Sequence, residues 1–174
     1  MVALSDSGLG KSGLGSKGTA VVTTPTDTQI LITREFAAPR RSVFRVLTEP
    51  ELIKKWWSGG FGEVVIAEVD LRVGGRWRYV MTADGHEVGF HGEYREVVPG
   101  ERFVCTEIYE GVPGGSAPAL CSYDLIEEDG RTTLRLLTEM ASKEDRDALL
   151  ASGMEAGAQA GYDILEELAI SLPE

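Results

Sequence analysis

The chain has 174 residues, 43% of them hydrophobic and 26% charged, with a formal net charge of −11. That length supports one domain with a real core, and the composition is that of an ordinary globular protein. The acidic balance speaks against nucleic acid, which is held mainly by basic contacts to phosphate. It speaks equally against an anionic membrane surface, and it suits a surface that keeps the chain in solution. No apolar run approaches the length of a transmembrane helix, and no apolar segment of a secretory signal stands near the start, so no membrane insertion is expected. Cys105 and Cys121 stand in no metal-ligand spacing. Their strand-like surroundings predict buried free thiols, which suit a cytoplasmic location.

Residues 1–26 are rich in Gly, Ser and Thr and lack apolar periodicity, which predicts a flexible tail ahead of a single domain over 27–174. Inside it, "SDSGLGKS" ends like a phosphate-binding loop. Ser5 stands where the first Gly belongs, and no strand precedes or helix follows, so no nucleotide site is read there. "TQILITREFAA" alternates and is rich in β-branched residues, as a strand should be. Pro39 then opens two short helices divided by Pro50. "EVVIAEVDLRV" predicts a strand. Residues 74–98 predict a pair of strands turning at Asp84-Gly85, and residues 117–140 a second pair turning at Asp129-Gly130. "ERFVCTEIYEG" lies between them, and the series implies an antiparallel sheet. Residues 142–172 predict one long helix capped by Ser142. Met154, Ala158, Gly161, Leu165, Leu168 and Leu172 form its apolar stripe, with an acidic, solvated face opposite.

The expected fold is therefore α+β: a curved antiparallel sheet wrapped around a long C-terminal helix, with two short helices after the first strand. His86 and His91, the two histidines, stand an odd number apart, so they point to opposite faces or His86 lies in the turn, and in neither case do they easily ligate one metal together. Val88, Phe90 and Tyr94 take the interior face; His91, Glu93 and Arg95 take the other. Glu107 and Glu139 are either inward carboxylates with raised pKa or outward, paired ones. Trp56-Trp57 is either a ligand lid or a packing plug. No nucleophile motif and no catalytic constellation is read, and no cofactor is expected. Inward aromatic and soft side chains form either a solid core or an apolar pocket with polar tips. The lining candidates are Trp57, Trp77, Tyr79, Met81, Phe90, Tyr94, Phe103, Cys105, Tyr109, Tyr123, Met154, Ala158 and Tyr162. The small residues Gly157, Ala158 and Gly161 leave room for a void.

"ITREFAAPRRSVFRVLTEPELIKKWW", "DLRVGGRWRYVM", "DGHEVGFHGEYREVVPGERFV" and "GMEAGAQAGYDILEEL" resemble proteins of the SRPBCC (START/Bet v 1-like) superfamily. Within it they are similar to the branch related to the C-terminal domain of the activator of Hsp90 ATPase. The resemblance spans about residues 28–172. It implies a helix-grip fold with a hydrophobic cavity for a lipid-like or polyketide-like small molecule. Some relatives are polyketide cyclases or aromatases, and the eukaryotic namesake is a co-chaperone. Relatives often carry a Gly-Trp pair in the last helix where this chain has Gly157-Ala158, a departure that bears on cavity size. The leading expectation is binding of a hydrophobic small molecule without catalysis. A cyclase-like enzyme using Glu107, Glu139, His91 or a tyrosine comes second. A chaperone-interaction module comes third, because the namesake's separate N-terminal chaperone-binding domain has no counterpart in these residues.

Overall fold

The structure is a computed structural model, and it describes residues 17–173. Eight strands form one antiparallel sheet in the order β1-β2-β8-β7-β6-β5-β4-β3. They are β1 (Val21–Thr23), β2 (Gln29–Phe36), β3 (Glu63–Val69), β4 (Arg76–Ala83), β5 (His86–Val98), β6 (Arg102–Tyr109), β7 (Ala119–Glu128) and β8 (Arg131–Glu139). After β2 the chain crosses to the far edge through α1 (Arg40–Thr48) and α2 (Pro50–Trp56), then returns strand by strand until β8 lies beside β2. α3 (Lys143–Ala151) and α4 (Met154–Ser171) follow. Residue alternation sets the two faces of the sheet. Ile30, Ile32, Arg34 and Phe36 on β2, and Thr132, Leu134, Leu136 and Thr138 on β8, are buried against the helical layer. Register slips at Val64/Ile66 and Tyr94/Glu96 are β-bulges, which increase local twist and help bend the sheet into a grip.

Both hairpin turns form as expected. Asp84-Gly85 and Asp129-Gly130 hold positive φ at both positions, the geometry of a tight turn whose twist matches its strands. Pro50 sits in the first turn of α2, where its missing N–H removes no helix bond. Ser142 caps α3 by accepting from the Asp145 N–H at 3.1 Å.

Arg34 locks α4 to the sheet. Its side chain is fully excluded from solvent. Nη1 reaches Asp163 at 2.8 Å, Nη2 reaches Glu166 at 3.2 Å, and Nε donates to the Glu35 carbonyl. The second Glu166 oxygen accepts the Ala37 N–H at 2.9 Å. Burying these charges is tolerated because each finds opposite charge and hydrogen bonds. Around them Phe36, Val43, Leu134 and Leu165 are all buried, a fully buried side chain of this kind stabilising the fold by about 1.5–3 kcal/mol.

Three expectations need correction. The C-terminal segment is two helices. Gly153 takes a left-handed φ of +83°, which ends α3 and starts α4. The acidic face of α4 is not wholly solvated, since Glu166 is buried against Arg34. Of the segment expected as a tail, residues 1–16 and the "SDSGLGKS" loop lie outside the described residues. Residues 21–23, however, form β1 on β2. Ala20 is buried because the Gln159 side chain bonds both its N–H (2.9 Å) and its carbonyl (2.6 Å). Among the described residues no helix is long and apolar enough to cross a membrane.

Candidate functional site

A cavity of about 420 Å³ lies between β4–β7 and the first turns of α4, with α2 and the segment after it along one side. Inward alternation on the strands supplies its wall. Trp57, Trp77, Tyr79, Met81, Phe90, Tyr94, Phe103, Cys105, Tyr123, Met154, Ala158 and Tyr162 all line it. Tyr109 does not. It has the right parity, but it ends β6 and is exposed; its ring packs 5.2 Å from Phe90, and its N–H bonds the Ser116 hydroxyl. Leu47, Phe61, Leu149, Ser152 and Gly153 also line the cavity and were not legible in the sequence, because they come from helix ends and a loop whose placement depends on the tertiary fold.

The rings hold one another in place. Trp57 meets Tyr79 and Phe90 edge-on at 5.5 and 5.6 Å, and Phe103 stacks on Tyr123 at 4.3 Å. Trp77 spans Gly92 to donate to the Thr106 carbonyl at 3.1 Å. A Cβ at Gly92 would fall 1.8 Å from that oxygen, so only glycine fits there. The two adjacent tryptophans divide their roles. Trp56 is buried, donates to the Val46 carbonyl at 2.9 Å and backs onto Gly161, so it is a packing plug that also touches the cavity. Trp57 is half-buried and faces the cavity. Gly161 therefore serves close packing, whereas a side chain at Gly157 would meet nothing within 4 Å. The open space lies at Gly157-Ala158.

Polar tips project from this apolar wall. They include the hydroxyls of Tyr79 and Tyr94. Among the described residues those of Tyr123 and Tyr162 have no hydrogen-bond partner. Burial pushes all four phenols far up, so they stay neutral. Cys105 and Cys121 are buried, free and directly opposite each other on β6 and β7, and burial likewise raises their thiols.

Glu107 resolves toward the inward alternative. It shares parity with Phe103 and Cys105, lines the cavity, and has its pKa raised by loss of water; the Cys121 thiol, 3.8 Å away, opposes this weakly. Glu139 takes the outward alternative, accepting from the Thr28 hydroxyl at 2.5 Å. His86 is exposed at the start of β5. His91 lies on the outer face, 2.9 Å from Glu110, which Arg78 also holds at 2.9 and 3.0 Å. Those two partners lower the Glu110 pKa to about 2, Arg78 contributing most. Among the described residues no group of three or more His, Cys, Asp or Glu could hold a metal ion.

The fold recurs in solved structures. A Rhodobacter sphaeroides protein superimposes with a TM-score of 0.80 at 25% identity, covering 88% of this chain and 99% of its own. Protein Ms6760 of Mycobacterium smegmatis gives 0.77 at 26%, covering 87% and 98%. A Chromobacterium violaceum protein gives 0.74 at 25%, covering 86% and 100%. The comparison with curated proteins finds no match. The profile described as "Activator of Hsp90 ATPase homolog 1-like protein" matches residues 37–169. With that match and the helix-grip architecture, the chain belongs to the activator of Hsp90 ATPase homolog 1-like family of the SRPBCC superfamily.

Proposed function

We propose that this protein binds a hydrophobic small molecule in the cavity between its sheet and α4. The observation that carries the reading is the cavity itself. Its volume of about 420 Å³ falls in the range of small-molecule sites, and its wall is aromatic with a few convergent polar tips. A thermal-shift screen against lipids, sterols, flavonoids and polyketide-like aromatics tests it. A dose-dependent rise in melting temperature for one class is the expected outcome; a flat response to every class overturns the reading.

Glu107 favours a second reading, a cyclase-like enzyme in which this carboxyl moves a proton on a bound, reactive chain. A compound turned over by the protein should then lose about a hundredfold or more in kcat with Glu107→Gln. Unchanged kcat would sink this second reading. Action on a chaperone follows from the family's description alone and ranks third. The buried free thiols support placing the protein in a reducing, cytoplasmic compartment.

A further inference from the structure

The chemistry of the cavity wall narrows what it can hold. Among the described residues, Glu107 is the one of the Asp, Glu, Lys, Arg and His types that lines the cavity. The other titratable groups that line it are Cys105, Tyr79, Tyr94, Tyr123 and Tyr162, with Cys121 against the carboxyl itself, all of them weak acids held neutral by burial. None supplies a positive charge. A carboxylate has about four acceptor positions. Here the described residues offer it one weak donor, the Cys121 thiol at 3.8 Å.

Its neighbours in the sheet are small. Its register partner on β7 is Ala119. On β5, one residue beyond the His91–Ile108 pair, stands Gly92. The Trp77 indole fills the place above Gly92, so the small neighbour that leaves room beside the carboxyl is Ala119, and the carboxyl lines the cavity. The rest of the wall is aromatic, and aromatic faces attract cations.

An anionic ligand would meet this carboxyl with no cation among the described lining residues to offset it. A ligand without a donor would leave this half-buried acid short of partners, and an uncharged donor would offset its charge less than a cation does. The geometry points to a protonated apolar amine as the ligand class, its ammonium on Glu107 and its hydrocarbon or aromatic body against the rings. The inference rests on the cavity being a ligand site and names what that site takes. No covalent bond changes. The ammonium donates hydrogen bonds to the carboxylate, and where Glu107 starts protonated its proton leaves to the buffer as the ion pair forms.

Isothermal titration of the full chain at about 0.15 M salt with 4-phenylbutylamine, 4-phenylbutan-1-ol and 4-phenylbutanoate separates charge from size. The amine should bind roughly tenfold to a hundredfold more tightly than the alcohol, and the acid most weakly. Glu107→Gln should remove the amine's advantage and spare the alcohol. Glu155→Gln, in the exposed first turn of α4, removes the same unit of charge and should change neither, which excludes a general attraction to an acidic chain. Should Glu107→Gln fail to fold by circular dichroism, wild-type titrations in two buffers of different ionisation enthalpy decide the matter. At about pH 4, below the ordinary carboxylate value, where the raised pKa keeps Glu107 protonated, proton release with the amine and none with the alcohol is expected. Alcohol or acid binding as tightly as amine, or an amine preference that survives Glu107→Gln, overturns the inference and leaves the cavity as a ligand site. No binding by any of the three overturns both.

Discussion

Under the C-terminal half of α4, the Arg34 side chain is wholly withdrawn from water, and every direction around it is answered: Asp163, Glu166, the Glu35 carbonyl and the face of Phe36. Under the N-terminal half of the same helix, Glu107 is half-buried in the cavity wall, and the described residues meet it with a thiol, the small Ala119 and open space. The first region is solid core and the second is a cavity, although one helix and one sheet build both. A charge that the chain itself satisfies belongs to the fold. One that it leaves unsatisfied at the edge of a void is available to a ligand.

The comparison can be broken most forcefully from the solid end. Arg34→Met should cost about 3–5 kcal/mol in urea unfolding, because Glu166 is left buried without its cation. Adding Glu166→Gln to that variant should recover part of the loss. A cost below about 1 kcal/mol for Arg34→Met would mean the cluster holds little. At the open end, Ala158→Trp should fill the space beside Gly157 and keep the fold. It should abolish ligand stabilisation, which reaches about 2.7 kcal/mol at a hundredfold excess over Kd in the wild type. Ligand-induced melting shifts of equal size in both proteins would place the ligand elsewhere.

Glu107→Gln sharpens the contrast through pH. The folded protein holds the Glu107 proton more tightly than the unfolded chain does. Stability from this group is therefore fully present below the ordinary carboxylate pKa of about 4.3 and falls as pH rises through the folded value. The variant should lack that decline, and urea midpoints measured across the acid-to-neutral range read the difference. Parallel curves would show that Glu107 titrates normally. The smallest effect is expected at the outer face. Glu110→Gln should cost under about 1 kcal/mol at neutral pH, since Arg78 and His91 are half-exposed partners. Because its folded pKa is lowered to about 2, Glu110's contribution is present above the ordinary carboxylate range and is lost as pH falls toward that value.

Local rules made most of the fold legible. Alternation identified the strands and which way they face, Asp-Gly pairs the hairpins, and Pro50 the break between the first two helices. The same alternation found the cavity wall, and two-residue spacing alone sets Glu107 in line with Phe103 and Cys105. What parity cannot read is how far a strand runs past the cavity, which is why Tyr109 fell outside. It also cannot read pairings between distant segments. Arg34 and Glu166 stand 132 residues apart, and Ala20 needs Gln159, 139 residues away, before β1 has an anchor. Gly153 resembled the small residues around it until its left-handed φ showed that it divides two helices.

The most direct test of the central claim is calorimetric titration of the best thermal-shift compound into wild-type protein and into folded Ala158→Trp. Binding of one molecule per chain by the wild type, lost in the variant, is the expected result. Equal affinity in both would contradict a ligand site between the sheet and α4.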